Sequence, residues 1–531
     1  MGKGLLIAEN RSTLRESMSS LVLETPVKLR LLDSWLTGPV YQELQELLGY
    51  EDLGVTHQFR VWKKALTQSE RAIASGNRPH WFVLKYGIEA LKDKVSQLDK
   101  ERGKSILFRD DRGLWTYSGM AQELQERFGV GLERQFKLPE FGLIPWQKKP
   151  EHELRWFQEK ALDGFVGAKD GLGAVELATG LGKSLIIVHT LKAIGRSGIV
   201  VAPTLSIANQ LLSDLVDAFG TRLVGQFFDG KKAPSKFFVV AVSKSLMNCA
   251  EGGEGDEATE ILRKKAVVIG DESHLLPAES LSRVVLGLLG TIPYRFFLSG
   301  TQIRGDGADV LLQGITGPIQ LKMSVRQGIE QGFLSPLKFV QWSVRSDSKY
   351  KTDDPLKMNR EHLHDNPNVY AHASNLINRA VTEKKRRVLV LVDEVGQFGH
   401  LLKAGMNLPV GFAHGPLDSK NKQDVPEKFR KSDPMALVGA FDRGEFPVLV
   451  GSSCIGMGTD TKSPDFIVDL MGLASEVRVR QSVGRGTRLF PGKTCTVYND
   501  YCVENIDVLR NQARKRAAVF DSIYGPVIFM R

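Results

Sequence analysis

The sequence predicts an α/β protein with two tandem domains built on parallel sheets, preceded by an N-terminal α+β accessory domain. The chain has 531 residues, which is too long for one hydrophobic core. From residue 151 onward, short apolar runs alternate with amphipathic segments, the pattern of a parallel sheet covered by helices on both faces. A polar segment, residues 345–366, interrupts this alternation, which then resumes. Two successive α/β domains follow from that interruption.

The apolar runs define the predicted strands, five in each half of the alternating region. They are residues 173–177, 199–202, 237–242, 266–269 and 296–299, and then 388–392, 410–412, 448–450, 466–470 and 496–498. The acidic, glycine-containing stretch 252–257 predicts a flexible loop. The predicted organisation is an accessory domain at 1–138, a proline-punctuated linker at 139–152, α/β domains at 153–335 and 336–500, and a helical tail at 501–531.

The first 138 residues carry no defensible catalytic pattern. Apolar residues at helical spacing predict helices over 41–48, 81–98 and 120–128, and the segments 105–108 and 114–117 predict a hairpin. Aromatic residues among basic ones, Trp62, Trp81, Trp115 and Tyr117, have two interpretations. They stack on nucleic-acid bases, or they belong to the domain core. The sequence leaves both interpretations open.

Composition describes an ordinary globular protein, with 42% hydrophobic and 25% charged residues. The net charge of +10 suits a polyanionic partner, although ten charges over this length also serve solubility. The four cysteines, at positions 249, 454, 495 and 502, show no C-x-x-C spacing, which argues against a structural zinc site or a disulfide framework. No apolar stretch approaches membrane-spanning length. We therefore expect a cytoplasmic protein with no membrane partner.

The first chemical motif lies between the predicted strand 173–177 and a helix over 185–194. Gly180 and Gly182 let the backbone bend so that successive N–H groups point at phosphate oxygens. Lys183 would then reach the β- and γ-phosphates, and the Ser184 hydroxyl would hold Mg²⁺. The first glycine of the full phosphate-loop pattern is replaced by Leu177. A glycine-rich turn between a core strand and a helix is the structural alternative.

The second motif is a pair of acids that follows the predicted strand 266–269. Strand ends in parallel sheets face the crevice in which ligands bind, so Asp271 and Glu272 should face the phosphate loop. Asp271 would hold Mg²⁺ and Glu272 would orient and deprotonate the attacking water. Alternatively, the two acids form a helix N-cap with its first-turn acid.

These residues carry a family resemblance. The sequence Asp271-Glu272-Ser273-His274 resembles the D-E-x-H signature of superfamily 2 helicases, and residues 178–184 resemble their motif I, in which the early glycine is commonly absent. The resemblance therefore adds Thr179 and Leu181 to the nucleotide-binding loop. Residues 154–158 look like the L-R-x-x-Q element of the branch that includes restriction-type translocases and phage branch-migrating helicases. It implies that Arg155 and Gln158 bind the nucleotide, with the glutamine reading adenine.

Two further segments of the first half resemble motifs of this superfamily. Residues 201–204 look like motif Ia, which implies contacts of Pro203 and Thr204 with a DNA strand. Residues 298–301 are similar to motif III, which implies that Ser299 and Thr301, together with His274, couple ATP hydrolysis to strand movement. Residues 304–336 resemble the region that joins the two motor domains in the same branch.

The second half completes the resemblance. Residues 448–460 look like motif V, which implies nucleotide contacts of Gly458 and Asp460, and residues 481–488 match motif VI, Q-x-x-G-R-x-x-R. In the hydrolysis transition state, charge spreads over the γ-phosphoryl oxygens, and guanidinium groups from a second domain can neutralise it when the cleft is shut. We expect Gln481, Arg485 and Arg488 to be catalytic. A solvated face or phosphate contacts to DNA are alternatives for these arginines.

The resemblance implies two RecA-like domains that use ATP and Mg²⁺ to translocate on DNA and to unwind or remodel forked or branched duplexes in repair or recombination. DNA is favoured over RNA as the partner on resemblance alone. No nuclease carboxylate-lysine cluster is evident, so a restriction role needs a separate nuclease partner, and recombination proteins are the other expected partners. The alternatives are a duplex translocase without strand separation, an RNA helicase and an ATP-switched nucleic-acid-binding scaffold. The tail at 501–531 packs as a closing helix or contacts DNA through its basic residues.

Overall fold

The computed structural model describes residues 20–530 except 36, 252–256, 277, 302–306, 353, 418–420, 453–460 and 473–474. Three units follow one another along the chain, an N-terminal unit and two larger α/β lobes. No helix in these described ranges is both long and apolar enough to cross a membrane. Within them, Cys495 and Cys502 are free thiols.

The N-terminal unit is a mixed sheet with helices. Its elements are β1 (Leu21–Thr25), β2 (Lys28–Arg30), α1 (Pro39–Leu47), β3 (Gly49–Glu51), α2 (Leu53–Ala74), α3 (Trp81–Tyr86), α4 (Ile88–Arg102), β4 (Gly103–Ser105), β5 (Phe108–Asp110), β6 (Gly113–Tyr117), α5 (Ala121–Phe128) and β7 (Leu132–Arg134). The main sheet has the order β5-β6-β2-β1-β7, and β3 pairs with β4 separately. Helices α2 and α4 pack on each other and project from the β3–β4 pair as a helical hairpin.

The first lobe contains the phosphate-loop sequence. Its elements are α6 (Trp156–Val166), β8 (Leu172–Leu177), α7 (Lys183–Ile194), β9 (Gly198–Ala202), α8 (Leu205–Phe219), β10 (Val224–Phe228), β11 (Lys231–Lys232), β12 (Phe238–Val242), α9 (Ser243–Glu251), α10 (Glu257–Arg263), β13 (Val267–Gly270), α11 (Glu279–Ser282), β14 (Tyr294–Ser299), α12 (Asp309–Thr316), β15 (Ile319–Met323) and α13 (Val325–Glu330). The sheet order is β11-β10-β12-β9-β13-β14-β8-β15, and only the β10–β11 pair is antiparallel among the described strands of this sheet.

The second lobe has the same architecture. Its elements are β16 (Leu337–Val344), α14 (Pro355–Asn359), α15 (Pro367–Thr382), β17 (Val388–Leu391), α16 (Gly396–Lys403), β18 (Val410–Ala413), α17 (Asn421–Asp424), α18 (Pro434–Arg443), β19 (Val448–Gly451), β20 (Phe466–Asp469), α19 (Glu476–Gly484), β21 (Thr496–Val503), α20 (Asp507–Ile523) and β22 (Val527–Met530). All described pairs in its sheet are parallel, in the order β18-β19-β17-β20-β21-β16-β22.

The fold class is confirmed, because the two parallel-sheet lobes follow an N-terminal α+β unit. Every residue of β8, β9, β12, β13 and β14 is buried, which explains why these strands read as continuous apolar runs. One hydrophobic cluster contains residues of both lobes, among them Val175, Leu334, Leu389 and Ile467. The two lobes therefore share a packed boundary.

Several local predictions were wrong. The helix predicted over 81–98 is two helices, because Gly87 between α3 and α4 has a φ of 87° that ends one helix and starts the next. The hairpin strand predicted at 105–108 begins instead at Phe108, since residues 103–105 pair with β3. The tail at 501–531 is not purely helical, because β21 runs to Val503 and β22 joins the second sheet beside β16. The loop predicted at 252–257 lies outside the described residues up to 256, and helix α10 begins at Glu257.

The N-terminal unit is attached to the first lobe through helix α12, which follows the motif III segment. The Gln313 side chain donates a hydrogen bond to Glu123 with 2.7 Å between Nε2 and Oε2. Val310 and Leu311 pack against the hydrophobic cluster of the N-terminal unit. A Cβ atom at Gly119 would lie 2.1 Å from the Gln313 carbonyl oxygen, so only glycine permits this approach. The domain boundaries themselves stay a prediction.

Candidate active site

The phosphate loop joins the buried strand β8 to helix α7. Gly180 and Gly182 have φ values of 92° and 81°, so both adopt the left-handed backbone that favours glycine. Helix α7 begins at Lys183, two residues earlier than the sequence predicted. The loop N–H groups and the helix N-terminus therefore converge on one point, which suits an anion.

The Lys183 side chain lies over this loop and faces the acidic pair. Its Nζ is 3.6 Å from Glu272 Oε1 and 3.5 Å from the Leu177 carbonyl oxygen. Ser184 and Thr179 line the same cleft as Lys183, a cavity of about 880 Å³. Loop and cavity together are large enough, and of the right polarity, for a nucleoside triphosphate.

Asp271 and Glu272 follow strand β13 directly and line that cavity. Glu272 has a φ of 50° and a ψ of 49°, an unusual conformation for a residue other than glycine, and its N–H donates to Asp271 Oδ1 at 2.9 Å. Burial and the adjacent Glu272 carboxylate raise the pKa of Asp271. Burial opposes ionisation of Glu272 as well, but the Lys183 ammonium and a hydrogen bond with His274 outweigh it and lower the pKa of Glu272. Glu272 is therefore a carboxylate at neutral pH, as a general base must be.

A hydrogen-bond chain connects motifs II, III and VI through His274, which is 4% exposed. Ser299 Oγ donates to the Thr301 carbonyl oxygen at 2.6 Å, so it accepts from His274 Nδ1, which lies 2.9 Å away. With the proton on Nδ1, the His274 Nε2 is an acceptor and faces Gln481 Nε2 at 3.5 Å. Of the predicted coupling residues of the first lobe, His274 thus contacts Gln481, a predicted catalytic residue of the second lobe.

The second lobe meets the phosphate loop at motif VI. A Cβ atom at Gly484 would lie 2.6 Å from Thr179 Cβ, and Thr487 Oγ1 is 3.5 Å from the Thr179 carbonyl oxygen. Arg485 and Arg488 line the same cavity as Lys183. Burial lowers the pKa of Arg488 to about 10, which leaves its guanidinium charged at neutral pH. The arginine pair faces the glycine turn of the first lobe, as a shared phosphate site requires.

Arg155 and Phe333 also line the cavity, and the Arg155 guanidinium carbon lies 4.9 Å from the centroid of the Phe333 ring. Gln158 is only 3% exposed, and its amide group is engaged by the protein itself. Its Nε2 donates to the Leu181 carbonyl oxygen at 2.9 Å, and its Oε1 accepts from the Arg155 N–H at 2.9 Å. In this conformation Gln158 braces the phosphate loop, and reading of adenine by this residue stays a prediction.

The predicted DNA contacts separate into two places. Pro203 lines the nucleotide cavity, whereas Thr204 lines a second cleft of about 740 Å³ between the lobes. Thr204 also caps helix α8, since its Oγ1 accepts from the Ile207 N–H at 3.4 Å. Gly458 and Asp460, the predicted motif V contacts, lie outside the described residues.

Sequence reasoning missed two features of the site. Phe333 follows Gly332, which has a φ of 74°, and lies in a segment whose family resemblance was recognised without a role for its aromatic ring. Lys462 lines the cavity from the second lobe and had no motif assigned to it. An aromatic residue immediately after a turn glycine was the one available signal for Phe333.

Comparison with known proteins matches two segments of the chain to family models. Residues 151–304 match the family model "Type III restriction enzyme, res subunit", and residues 370–489 match "Helicase conserved C-terminal domain". The chain is 21% identical over 392 residues to a protein described as helicase 22 of Sulfolobus islandicus filamentous virus (isolate Iceland/Hveragerdi), covering 71% of this chain and 68% of that protein. It is also 21% identical over 420 residues to the DNA 3'-5' translocase XPB2 of Sulfurisphaera tokodaii, covering 70% of this chain and 88% of that protein.

Among solved structures, a fragment described as an HsdR subunit of a type I restriction enzyme from Vibrio vulnificus YJ016 superposes with a TM-score of 0.51 at 17% identity, covering 71% of this chain and 68% of that one. That likeness concerns the fold alone. The family matches, the two lobes and the motifs at their boundary define an ATP-hydrolysing motor that acts on nucleic acid. The two family matches and the two relatives together support a helicase or translocase of superfamily 2.

Proposed function

We propose that this protein is a DNA helicase that hydrolyses ATP to translocate on DNA and to unwind or remodel forked or branched duplexes. The observation that carries the proposal is the shared cavity, in which Arg485 and Arg488 of the second lobe lie with Lys183 and Glu272 of the first. Neither lobe alone supplies both the phosphate cradle and the cations that stabilise the transition state.

The residues of the cavity have distinct tasks in hydrolysis. The loop N–H groups and Lys183 hold the β- and γ-phosphates, and Glu272 orients and deprotonates the attacking water. Arg485 and Arg488 neutralise charge on the γ-phosphoryl oxygens, and Gln481 positions the water or the phosphate. The hydrogen-bond chain from Gln481 through His274 to Ser299 couples opening and closing of the cleft to motif III.

The donor set suits Mg²⁺. Ser184 and Asp271 line the same cavity, and the described residues contain no cluster of three or more His, Cys, Asp or Glu that could hold a metal alone. Mg²⁺ is commonly held by one or two protein ligands together with water and substrate phosphates. Ser184 and Asp271 would hold the ion, and when bound it would offset the negative charge of the phosphates.

The nucleic-acid strand is proposed to cross the second cleft, which both lobes line. Thr204 and Ser206 contribute from the first lobe, and His414, Arg430 and Lys431 from the second. The two sides approach closely at Ser206 Oγ and Met435 Sδ, 3.7 Å apart. Because both lobes line this cleft, a change in the angle between them would move a strand that is bound there. The contacts to its phosphates would weaken as the salt concentration rises.

DNA is supported as the substrate by the XPB2 relative, whose name describes a DNA translocase. That name describes translocation and does not mention strand separation, so a duplex translocase that does not separate strands is the second candidate. The cytoplasmic location and the association with recombination or nuclease partners remain expectations from the sequence.

ATP turnover with and without nucleic acid tests the proposal. Turnover should rise with forks, four-way junctions or single-stranded DNA more than with RNA, and Lys183→Ala should abolish the stimulated rate, whereas Lys160→Ala, an exposed lysine on the same lobe, should not change it. Full stimulated turnover by Lys183→Ala would remove the phosphate loop from the mechanism. A strand-displacement assay beside a triplex-displacement assay separates the helicase from the translocase, since a translocase displaces only the triplex strand.

A further inference from the structure

The helical hairpin of the N-terminal unit carries a cluster of aromatic rings around α3, the short helix between α2 and α4, and we call this cluster the aromatic tip. It consists of Trp62 on α2, the α3 residues Trp81, Phe82 and Tyr86, and the preceding His80. Neighbouring ring centroids lie 4.8 to 5.8 Å apart, from Phe82–Tyr86 at 4.8 Å to Trp62–His80 at 5.8 Å. This continuous set of rings belongs to neither motor lobe.

Some rings of the aromatic tip are partly buried and others are exposed to solvent. Trp62 and Phe82 are partly buried against the hairpin, whereas Trp81 is 59% exposed and Tyr86 is 52% exposed. Helix α3 has no buried residue at all. A small core explains the inner rings, but it does not explain two large aromatic side chains on a helix that packs so little of its surface.

The charge around the tip suits a polyanion as the occupant. Between residues 60 and 86 the chain has six Lys and Arg against one acid, a net of +5 within the +10 of the whole protein. All six basic residues, Arg60, Lys63, Lys64, Arg71, Arg78 and Lys85, are exposed. Half of the net charge of the protein is therefore concentrated in 27 residues around the exposed rings.

The base of the helical hairpin contacts the first lobe. A Cβ atom at Gly307 would lie 2.3 Å from the Glu51 carbonyl oxygen and 3.2 Å from Leu53 Cγ, so the base of the hairpin contacts the chain between motif III and helix α12. Helix α12 in turn packs on the N-terminal unit. The base of the hairpin is thereby attached to the first lobe.

We propose that the aromatic tip binds the unpaired bases at the branch point of a forked DNA, with Trp81 and Tyr86 stacking on bases and the surrounding basic residues holding the phosphates. Aromatic faces stack on any base, and each stacked base contributes substantially to affinity, so recognition is of unpaired structure and not of sequence. A fully paired blunt duplex offers stacking only at its ends. The inference rests on the proposed function, because it assigns a substrate feature to the same motor.

The test is equilibrium binding of the full-length protein to a fluorescein-labelled fork and to a blunt duplex of equal length, measured by anisotropy. Trp81→Ala with Tyr86→Ala should weaken fork binding about tenfold or more and duplex binding less than about twofold. Leu84→Ala, 51% exposed on the same helix, is the matched control and should change neither. Trp81→Phe should retain most of the fork preference, since a ring remains.

The basic residues have their own measurement. Arg78→Ala with Lys85→Ala should reduce the slope of log affinity against log salt by about 1.4 for a fork, the value for two single-strand phosphate contacts at 0.7 each. The aromatic variant should lower affinity without changing this slope.

Failure of DNA binding by the aromatic tip can be distinguished from failure of the proposed helicase function. If the wild-type protein shows DNA-stimulated ATP turnover but Trp81→Ala with Tyr86→Ala binds the fork as tightly as wild type, the tip does not bind DNA and a protein surface is its remaining partner. Equal weakening of fork and duplex would also overturn stacking on unpaired bases. If no nucleic acid stimulates wild-type turnover, the proposed function itself fails. Retained stimulation in the variant at saturating DNA shows that the motor is folded.

Discussion

Gly484→Ala offers a direct perturbation of the boundary between the lobes. The new Cβ would lie 2.6 Å from Thr179 Cβ and 3.0 Å from Thr179 Oγ1. The β-branched threonine cannot swing both atoms away, so the phosphate loop and motif VI must separate. Because Gly484 ends helix α19 with helical backbone, alanine should not destabilise the second lobe itself.

The magnitude follows from the cost of overpacking, about 1–3 kcal/mol. This cost falls on the closed arrangement alone, so the ratio of closed to open molecules should decrease by about 5- to 150-fold, and DNA-stimulated ATP turnover should fall as a result. Thermal unfolding should stay close to wild type.

The matched control is Gly439→Ala in helix α18, where the added Cβ meets only the end of the flexible Arg443 side chain at 3.2 Å. It should retain stimulated turnover. Wild-type turnover by Gly484→Ala would show that the observed contact between Thr179 and Gly484 is not part of the catalytic state.

Two further predictions concern buried charges. Arg516 is 3% exposed and its Nε donates to both carboxylate oxygens of Asp500, so Arg516→Met should cost about 3–5 kcal/mol by leaving a buried carboxylate unpaired, and adding Asp500→Asn should recover part of that loss in thermal unfolding. Burial lowers the pKa of Lys493 to about 8, whereas a lysine of the unfolded chain titrates near 10.4. Between about pH 8 and 10 the unfolded chain therefore binds more protons at this position, so the urea midpoint should rise with pH, and Lys493→Met should reduce that rise. A Lys493→Met midpoint with the wild-type pH slope would contradict the assignment.

The central strands of both lobes could be predicted because a strand that is buried on both faces consists of consecutive apolar residues, and this pattern is visible in the sequence. Strand β8 is buried at all six positions, and the phosphate loop follows it at the expected spacing. Edge strands lack that signature. In β15 only two of five residues are buried and in β22 none is, so their pairing depends on neighbours that the local sequence does not specify.

The N-terminal unit was the least predictable part. Helix α2 spans 22 residues, but only Thr56, Phe59, Ala65 and Ser69 are buried, which gives a weak apolar periodicity. Its partner α4 buries three residues along fifteen. A helical hairpin that packs mainly on itself buries few side chains, so its sequence shows little of the periodic apolar spacing that predicts helices.

Site residues divide along the same line. Lys183, Glu272 and Arg488 belong to motifs with fixed local spacing, and the structure brings all three to one cavity. The packing of Thr179 against Gly484 joins positions about 300 residues apart and depends on lobe docking. The bracing role of Gln158 was also hidden, because the same glutamine could face the nucleotide or the loop.

The shared cavity is tested most directly by Arg485→Ala with Arg488→Ala, measured both for binding of a fluorescent ATP analogue and for DNA-stimulated turnover. If the second lobe supplies transition-state charge, stimulated turnover should fall by about 10³ or more while nucleotide affinity changes only a few-fold. Wild-type turnover in this variant, or a loss explained entirely by weaker nucleotide binding, would contradict a phosphate site completed by both lobes.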